Sequence, residues 1–247
     1  MARIFITGSS AGLGQLAAQR LADQGHQVVL HARNEQRAQG AMDGVPGAED
    51  VLIGDLASIE ETKRLAVDVN AIGRFDVVIH NAGVYRASGK DILAVNTLAP
   101  YILTCLIHKP QRLIYLSSSL HLQGDPAPER MTSWKGAVGY ADSKLHMVLL
   151  AKAVARKWPD VYANTVDPGW VPTKMGGPSA PDDLEKGCET QAWLAVSADD
   201  KVKVSGRYFH HRREAHYHPE ADDIALQDEL LATCQQITGV RFPVNQK

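Results

Sequence analysis

The sequence predicts an α/β fold: a single domain in which a central parallel sheet is doubly wound and flanked by helices. Two observations carry that prediction. Short apolar runs rich in branched residues alternate with helix-patterned stretches along the chain, and strands that alternate with helices build parallel sheets covered on both faces. The alternation continues without a linker-like break through 247 residues, a length at which this class commonly buries one continuous core.

In chain order, the first strand is expected at Ile4 to Thr7, followed directly by a glycine-rich turn and a helical pattern from Leu13 to Gln24. Further strands are expected at Gln27 to His31, Val51 to Ile53, Asp76 to His80, Arg112 to Leu116 and Tyr162 to Asp167. Helical periodicity fills Ile59 to Ile72, Ile92 to Leu106 and Tyr140 to Lys157. Gly176, Gly177, Pro178 and Pro181 disfavour regular structure between Met175 and Asp183, so a substrate loop is expected over about residues 173–190. After Lys203 the pattern reads as a strand around Arg207 to His210, a polar loop and a helix from about Ala221 to Ile237, a C-terminal extension spanning about 203–240.

Composition narrows the function. A formal net charge of -2 offers no broad attraction to nucleic acid or anionic membrane. Cys105, Cys188 and Cys234 are odd in number and widely spaced, against both a disulfide framework and a zinc knuckle. No leader pattern opens the chain and no long apolar run follows, so a cytoplasmic protein acting on a small molecule is expected.

Tyr140 and Lys144 stand one helical turn apart and share a helix face. An ammonium there favours the phenolate and lowers a phenol pKa from its usual value of about 10. Reaching neutrality requires roughly 4 kcal/mol, more than one lysine supplies alone. The pair is expected to hand a proton to or from a substrate.

Thr7-Gly8-Ser9-Ser10-Ala11-Gly12-Leu13-Gly14 lies at the first strand-to-helix junction, where glycines let backbone N–H groups approach a phosphate and the helix dipole adds attraction. At the end of the second strand, His31-Ala32-Arg33-Asn34 carries no carboxylate for a ribose 2′-hydroxyl. Arg33, with Arg37 one turn later, is suited to a 2′-phosphate, so NADP (NADPH) is expected in preference to NAD.

With phosphate loop and Tyr-Lys pair in hand, the chain resembles the short-chain dehydrogenase/reductase family over nearly its whole length, and the resemblance implies a Rossmann fold. Thr7 to Gly14 matches the cofactor loop T-G-x-x-x-G-x-G, implicating Thr7, Gly8, Ser10, Gly12, Leu13 and Gly14. Asp55 and Leu56 match the adenine-contacting segment, and Asn81-Ala82-Gly83 the motif closing the fourth strand. Asn96, Ser118, Tyr140 and Lys144 match the family's catalytic asparagine, serine, tyrosine and lysine, the last two also holding cofactor. Pro168, Gly169, Val171 and Thr173 match the segment beside the nicotinamide carboxamide.

The resemblance implies hydride transfer between nicotinamide and a carbonyl or alcohol. Tyr140 would donate the proton, Ser118 would hydrogen-bond the substrate oxygen, and Ser117 and Ser119 would satisfy backbone or cofactor groups. Asn96 would open its helix and position a water toward Lys144. Within the family the chain is most similar to retinol-dehydrogenase-like members, through Ser117-Ser118-Ser119-Leu120-His121, Arg33 and the ending Ser205 to Phe209. The stretch from Asn96 to Ser118 is short where the family often places a dimer interface, leaving a homo-oligomer open. The long segment from Ser118 to Tyr140, with Asp125-Pro126-Ala127-Pro128 and Trp134, is expected to wall the substrate, which is read as small to medium and mostly apolar.

Four histidines among His210 to His218 lack helix-spaced metal-ligand order, so they are read as a polar loop by the site, with no metal. Trp134, Trp170, Trp193 and Met175 are read equally as pocket wall or packing, and His121 is ambiguous. A competing class is a catalytically idle NADP sensor or scaffold, which commonly loses a catalytic residue. A sugar-nucleotide epimerase or dehydratase shares Y-x-x-x-K but expects more chain after Thr173.

Overall fold

Strand β1 (Arg3–Ile6) divides its side chains between two cores, with Ile4 and Ile6 on one face and Phe5 on the other. Period-two alternation requires this, and the unbroken apolar run Ile4-Phe5-Ile6 requires cover on both faces. The same division holds in β2 (Gln27–Ala32), where Val28 and Leu30 oppose Val29, and in β4 (Val77–His80), where Val77 and Ile79 oppose Val78. In the computed structural model, which describes residues 1–126, 128–132 and 138–243, these strands join β3 (Asp50–Ile53), β5 (Arg112–Leu116), β6 (Tyr162–Asp167), β7 (Tyr208–His210) and β8 (Arg213–Glu214). The eight-stranded order is β3-β2-β1-β4-β5-β6-β7-β8. All pairs are parallel except β7 with β8. The order reverses between β1 and β4, the point at which such sheets open a crevice beyond their strand ends.

Helices α1 (Gly12–Asp23), α2 (Glu35–Gly44) and α7 (Leu184–Val196) cover one face through Leu21, Ala41 and Leu194. The opposite face is covered by α3 (Ile59–Ala71), α5 (Ala99–Leu106), α6 (Tyr140–Lys157) and α8 (Ile224–Thr238), through Leu65, Tyr101, Leu149 and Leu230. Each of these enclosed leucines stabilises the fold by about 1.5–3 kcal/mol relative to exposure. Helix α8 stops at Gly239, whose φ of 71° is the left-handed conformation glycine adopts without strain. The chain beyond it is tied back by the Tyr101 hydroxyl, which donates to the Val240 carbonyl at 2.8 Å, and by Trp158 Nε1, which donates to Pro243 at 3.1 Å.

Three stretches differ from the sequence reading. Helix α2 buries only Ala38 and Ala41, too little to register as a periodic face, and rests on Asn34, whose side chain accepts from the Arg37 N–H at 3.0 Å. Residues 184–190, expected as loop, are the first half of α7. Its cap is Asp183, which accepts from the Lys186 N–H, and Gly187 lets the helix approach so closely that an added Cβ would meet Val171 at 2.7 Å and Leu13 at 2.9 Å. The helix expected over Ile92 to Leu106 is instead α4 (Gly89–Leu93), a π-helical turn (Ala94–Leu98) and α5. Pro100 has no N–H to offer the Asn96 carbonyl four residues earlier, so the helix widens there.

Candidate active site

The parallel strands deliver their C-terminal ends to one edge of the sheet, where nearly all of the expected site residues collect. The loop after β1 is built around a histidine the sequence reading did not single out. His31, buried near the end of β2, accepts from the Gly8 N–H through Nδ1 at 2.9 Å, so its Nε2–H donates to the Gly54 carbonyl at 2.9 Å. Its own N–H donates to Ser9 Oγ at 2.8 Å. Burial pushes its pKa down to about 4, and the Gly54 bond and Asp55 pull weakly the other way. A neutral imidazole thus clips three strand ends together.

Gly8 has φ +64°, and a Cβ on it would meet Ala82 Cα at 2.8 Å. A Cβ on Gly14 would meet Asn81 Nδ2 at 2.4 Å. Asn81 donates to the Thr7 and Gly8 carbonyls, and the Ala82 N–H donates to Thr7 Oγ1. Helix α1 begins with Ala11 at its cap, without a side-chain hydrogen bond and without an acidic residue in the first turn. Its first N–H groups therefore lack a capping acceptor, with half-buried Ser10 and Leu13 beside them, which fits the phosphates of a dinucleotide. Arg33 follows β2, exposed and without an ion pair among the described residues. Asp55 accepts from the Ala57 N–H at 2.9 Å, and Leu56 is buried.

Around Gly83 the catalytic candidates converge: a Cβ there would lie 3.3 Å from Lys144 Nζ and 3.5 Å from Asn96 Oδ1. Asn96 is buried with its side chain fully engaged, accepting from the Val84 N–H at 2.8 Å and donating to the Val84 carbonyl and Ser143 Oγ, each at 3.0 Å. Lys144 Nζ lies 5.4 Å from the centre of the Tyr140 ring, and the Ser118 side chain stands beside the Tyr140 hydroxyl. Ser117 donates to the Lys144 carbonyl at 2.8 Å, the backbone role expected of it. Ser119 is exposed at a cavity mouth.

The electrostatics correct one expectation. Tyr140 is not drawn toward neutrality by Lys144; burial, then Asp167 and Tyr85, whose ring lies 4.8 Å away, push it up to about 12, while the Ser118 side chain pulls it down. Lys144 itself is pushed down to about 8 by burial, against the pull of Asp167. Both groups lose water, and that desolvation is the largest cause of each shift.

After β6, Gly169 adopts φ +83° and donates its N–H to Asp167 Oδ1 at 2.9 Å, while Pro168 is half-buried. Val171 is buried, and a Cβ on Gly12 would lie 3.8 Å from Thr173, which brings this segment over the phosphate loop. A cavity of about 410 Å³ opens beside it, lined by His121, Leu122, Asp167, Trp170, Tyr208 and His210 among others. His121 is resolved as a structural group: its Nδ1–H donates to the Ser118 carbonyl at 2.7 Å and its Nε2 accepts from the His218 N–H at 3.1 Å. Trp170 lines the cavity, whereas Trp193 packs against Phe209 beneath Arg212. Met175 is exposed, and Ala127 and Trp134 lie outside the described residues. Among the described residues no cluster of three or more His, Cys, Asp and Glu side chains could hold a metal, and no helix is long and apolar enough to cross a membrane. Tyr85, Asp167 and Tyr208 carried no spacing signal of their own; Tyr85 follows β4, Asp167 ends β6 and Tyr208 begins β7, so only the assembled sheet brings them together.

The family model for short chain dehydrogenases matches residues 2–105. An uncharacterized oxidoreductase of Emericella nidulans is 47% identical, over 98% of this chain and 99% of the relative. The chain belongs to the short-chain dehydrogenase family. It is therefore an NAD(P)-dependent oxidoreductase. The short-chain dehydrogenase chyC of Penicillium rubens is 40% identical over 98% of this chain and 100% of its own length. Human retinol dehydrogenase 13 is 27% identical over 97% of this chain and 85% of the relative, so the retinol-dehydrogenase likeness is present at lower identity. Among solved structures, an uncharacterized protein of Mycobacterium paratuberculosis superposes with a TM-score of 0.83 at 21% identity, covering 99% of this chain and 96% of that one. A short chain dehydrogenase of Shigella flexneri complexed with NADP superposes with a TM-score of 0.67 at 24% identity, covering 86% and 97%. Both show the dehydrogenase fold of the sheet and its helices.

Proposed function

We propose that the protein is an NADP-preferring carbonyl reductase, transferring a hydride between nicotinamide and a carbonyl or alcohol carbon. The observation that carries this reading is the Tyr140 phenol with the Ser118 side chain beside it and the buried Lys144 ammonium 5.4 Å from its ring centre. Bound NADPH would supply the hydride. The open N-terminus of α1, with Thr7, Gly8, Ser10, Gly12, Leu13 and Gly14, would hold its phosphates; Asn81 and Ala82 keep that loop in place, and Gly83 would leave room for the cofactor beside Lys144. Asp55 and Leu56 would border the adenine, and Pro168, Gly169, Val171 and Thr173 the carboxamide. The Shigella flexneri relative binds NADP on the same fold, which supports a nicotinamide cofactor. Arg33, exposed at the end of β2, favours the 2′-phosphate.

Tyr140, held near 12, is a neutral phenol at ordinary pH and thus a proton donor, which favours reduction of a carbonyl. It would protonate the carbonyl oxygen while Ser118 hydrogen-bonds the same atom and stabilises its developing charge. Lys144 spends one N–H on the Leu116 carbonyl at 3.0 Å and would offer the others to the nicotinamide ribose. The Asn96 carbonyl, which Pro100 cannot hydrogen-bond, would hold a water toward Lys144. Thermal-shift titration with NADPH and NADH, followed by a carbonyl panel read through loss of reduced-nicotinamide absorbance, tests the reading. NADPH-selective stabilisation with turnover is expected; cofactor binding without turnover of any carbonyl would favour an idle sensor.

A further inference from the structure

The cavity beside Ser118 has a floor whose chemistry hydride transfer does not use. Tyr208 and Asp167 both line it and are 3% and 5% exposed. They stand on adjacent strands, β7 and β6, where Thr165 pairs with Tyr208 and Asp167 with His210. The Tyr208 hydroxyl is enclosed and makes no hydrogen bond of acceptable geometry. Burial and the nearby Asp167 charge push its phenol up, so it remains a proton donor at any working pH. Asp167 Oδ1 is taken by the Gly169 N–H, but Oδ2 faces His210 Nδ1 at 3.6 Å, beyond hydrogen-bonding distance. A buried donor and a buried acceptor thus stand together, each with capacity left, in a site where unmet polar groups are costly.

The remaining walls restrict what fills the gap. Leu122, Trp170 and Pro181 present apolar surface toward the mouth. Among the described residues the lining carries two carboxylates, Asp167 and Asp182, the imidazoles of His121, His210 and His216, and no permanently charged lysine or arginine. Asp182 Oδ2 is already used by the Trp170 N–H at 2.6 Å. An anionic substrate would meet repulsion, and a purely apolar one would leave Tyr208 and Asp167 unmet. A hydroxyl fits both, donating to the Asp167 carboxylate while accepting from the Tyr208 phenol. The Tyr208 ring lies 4.6 Å from the His121 ring, and His121 holds the Ser118 carbonyl, so this floor adjoins the reacting centre.

We propose that Asp167 and Tyr208 form a hydroxyl-recognising subsite and that the substrates are carbonyl compounds bearing a second hydroxyl group on an otherwise apolar body. This rests on the reductase reading for the carbonyl and replaces the mostly apolar substrate expected from sequence. The test uses the full chain with NADPH and matched ketone sets carrying a hydroxyl, a hydrogen or a carboxylate at increasing distance from the carbonyl. Binding is measured by calorimetry, and turnover in parallel by nicotinamide absorbance. At one or more spacings the hydroxyketone should bind at least about tenfold more tightly than its deoxy partner, and the oxo acid most weakly. In Tyr208→Phe and in Asp167→Asn, which keeps an oxygen for the Gly169 N–H, that ratio should fall toward one. Equal binding of every hydroxy and deoxy pair by the wild-type chain overturns the subsite even where both are reduced, as does a ratio unchanged in both variants. Selective hydroxyketone binding that both variants lose supports the subsite whether or not turnover follows; its occurrence without any turnover would count against the reductase reading instead.

Discussion

The Lys144 ammonium donates to the carbonyl oxygen of Leu116 at 3.0 Å, which fastens the first turns of α6 to the end of β5. The side chain is enclosed, and burial pushes its pKa down to about 8. An unfolded lysine keeps its proton to about 10.5, so between pH 8 and 10.5 the unfolded chain binds more protons than the native one, and stability rises with pH across that window. Below pH 8 the cost of the buried charge is fully present, on the order of 3 kcal/mol.

Lys144→Met should therefore raise the stability of the ligand-free protein at pH 7, by about 2 kcal/mol once the lost Leu116 bond is deducted. The gain should shrink as pH rises from 8 to 10.5, while turnover is lost at every pH. Thermal denaturation across that range checks it, and a variant less stable than wild type at pH 7 would show that the buried charge is not costly.

Tyr140→Phe removes the proton donor while keeping the ring beside Tyr85. Turnover should fall by at least about 100-fold, the usual size of a general-acid contribution, with NADPH binding nearly intact. Wild-type-like turnover would rule out Tyr140 as the donor.

Arg33→Asp places a carboxylate where a 2′-hydroxyl would be welcome and a 2′-phosphate repelled. Dissociation constants for NADPH should rise at least about tenfold, with NADH little affected or improved. Equal losses for both cofactors would remove Arg33 from the selection.

His31, His80 and His146 are buried and neutral, with burial pushing them to about 4, 3 and 4. Each folded value lies below the ordinary 6.5, so their contribution is complete above pH 6.5 and is lost as pH falls toward 4. His80 stacks on Tyr115 at 4.8 Å and leaves Nδ1 without a partner, while Thr104 retains the Tyr115 hydroxyl at 2.8 Å. His80→Phe should thus move the acid-unfolding midpoint to lower pH with less than about 1 kcal/mol change at pH 7. An unmoved midpoint, followed by circular dichroism, would exclude His80 as a determinant of acid stability.

Much of this was legible before any coordinates, and the exceptions are instructive. Strands β5 and β6 and helix α6 fall where the apolar patterning put them, because a strand buried on both faces or a long helix with one buried face must repeat its apolar residues. Helix α2 was invisible because two alanines are enough to seat it. The opening of the helix at Asn96 was expected from the family resemblance, and Pro100, four residues downstream, supplies its physical cause.

The amino-acid sequence by itself determined the family and the glycine-lined turn, and it made Tyr140 and Lys144 candidates through helix spacing and Asn96 and Ser118 candidates through the family resemblance. Only the tertiary structure decided their electrostatics and surroundings. Burial depends on what the rest of the chain packs around a group, so it raised Tyr140 where helix spacing alone would lower it. The same packing brought His31 under the Gly8 loop and set Asp167 beside Tyr208, which are 41 residues apart in the chain and neighbours on β6 and β7.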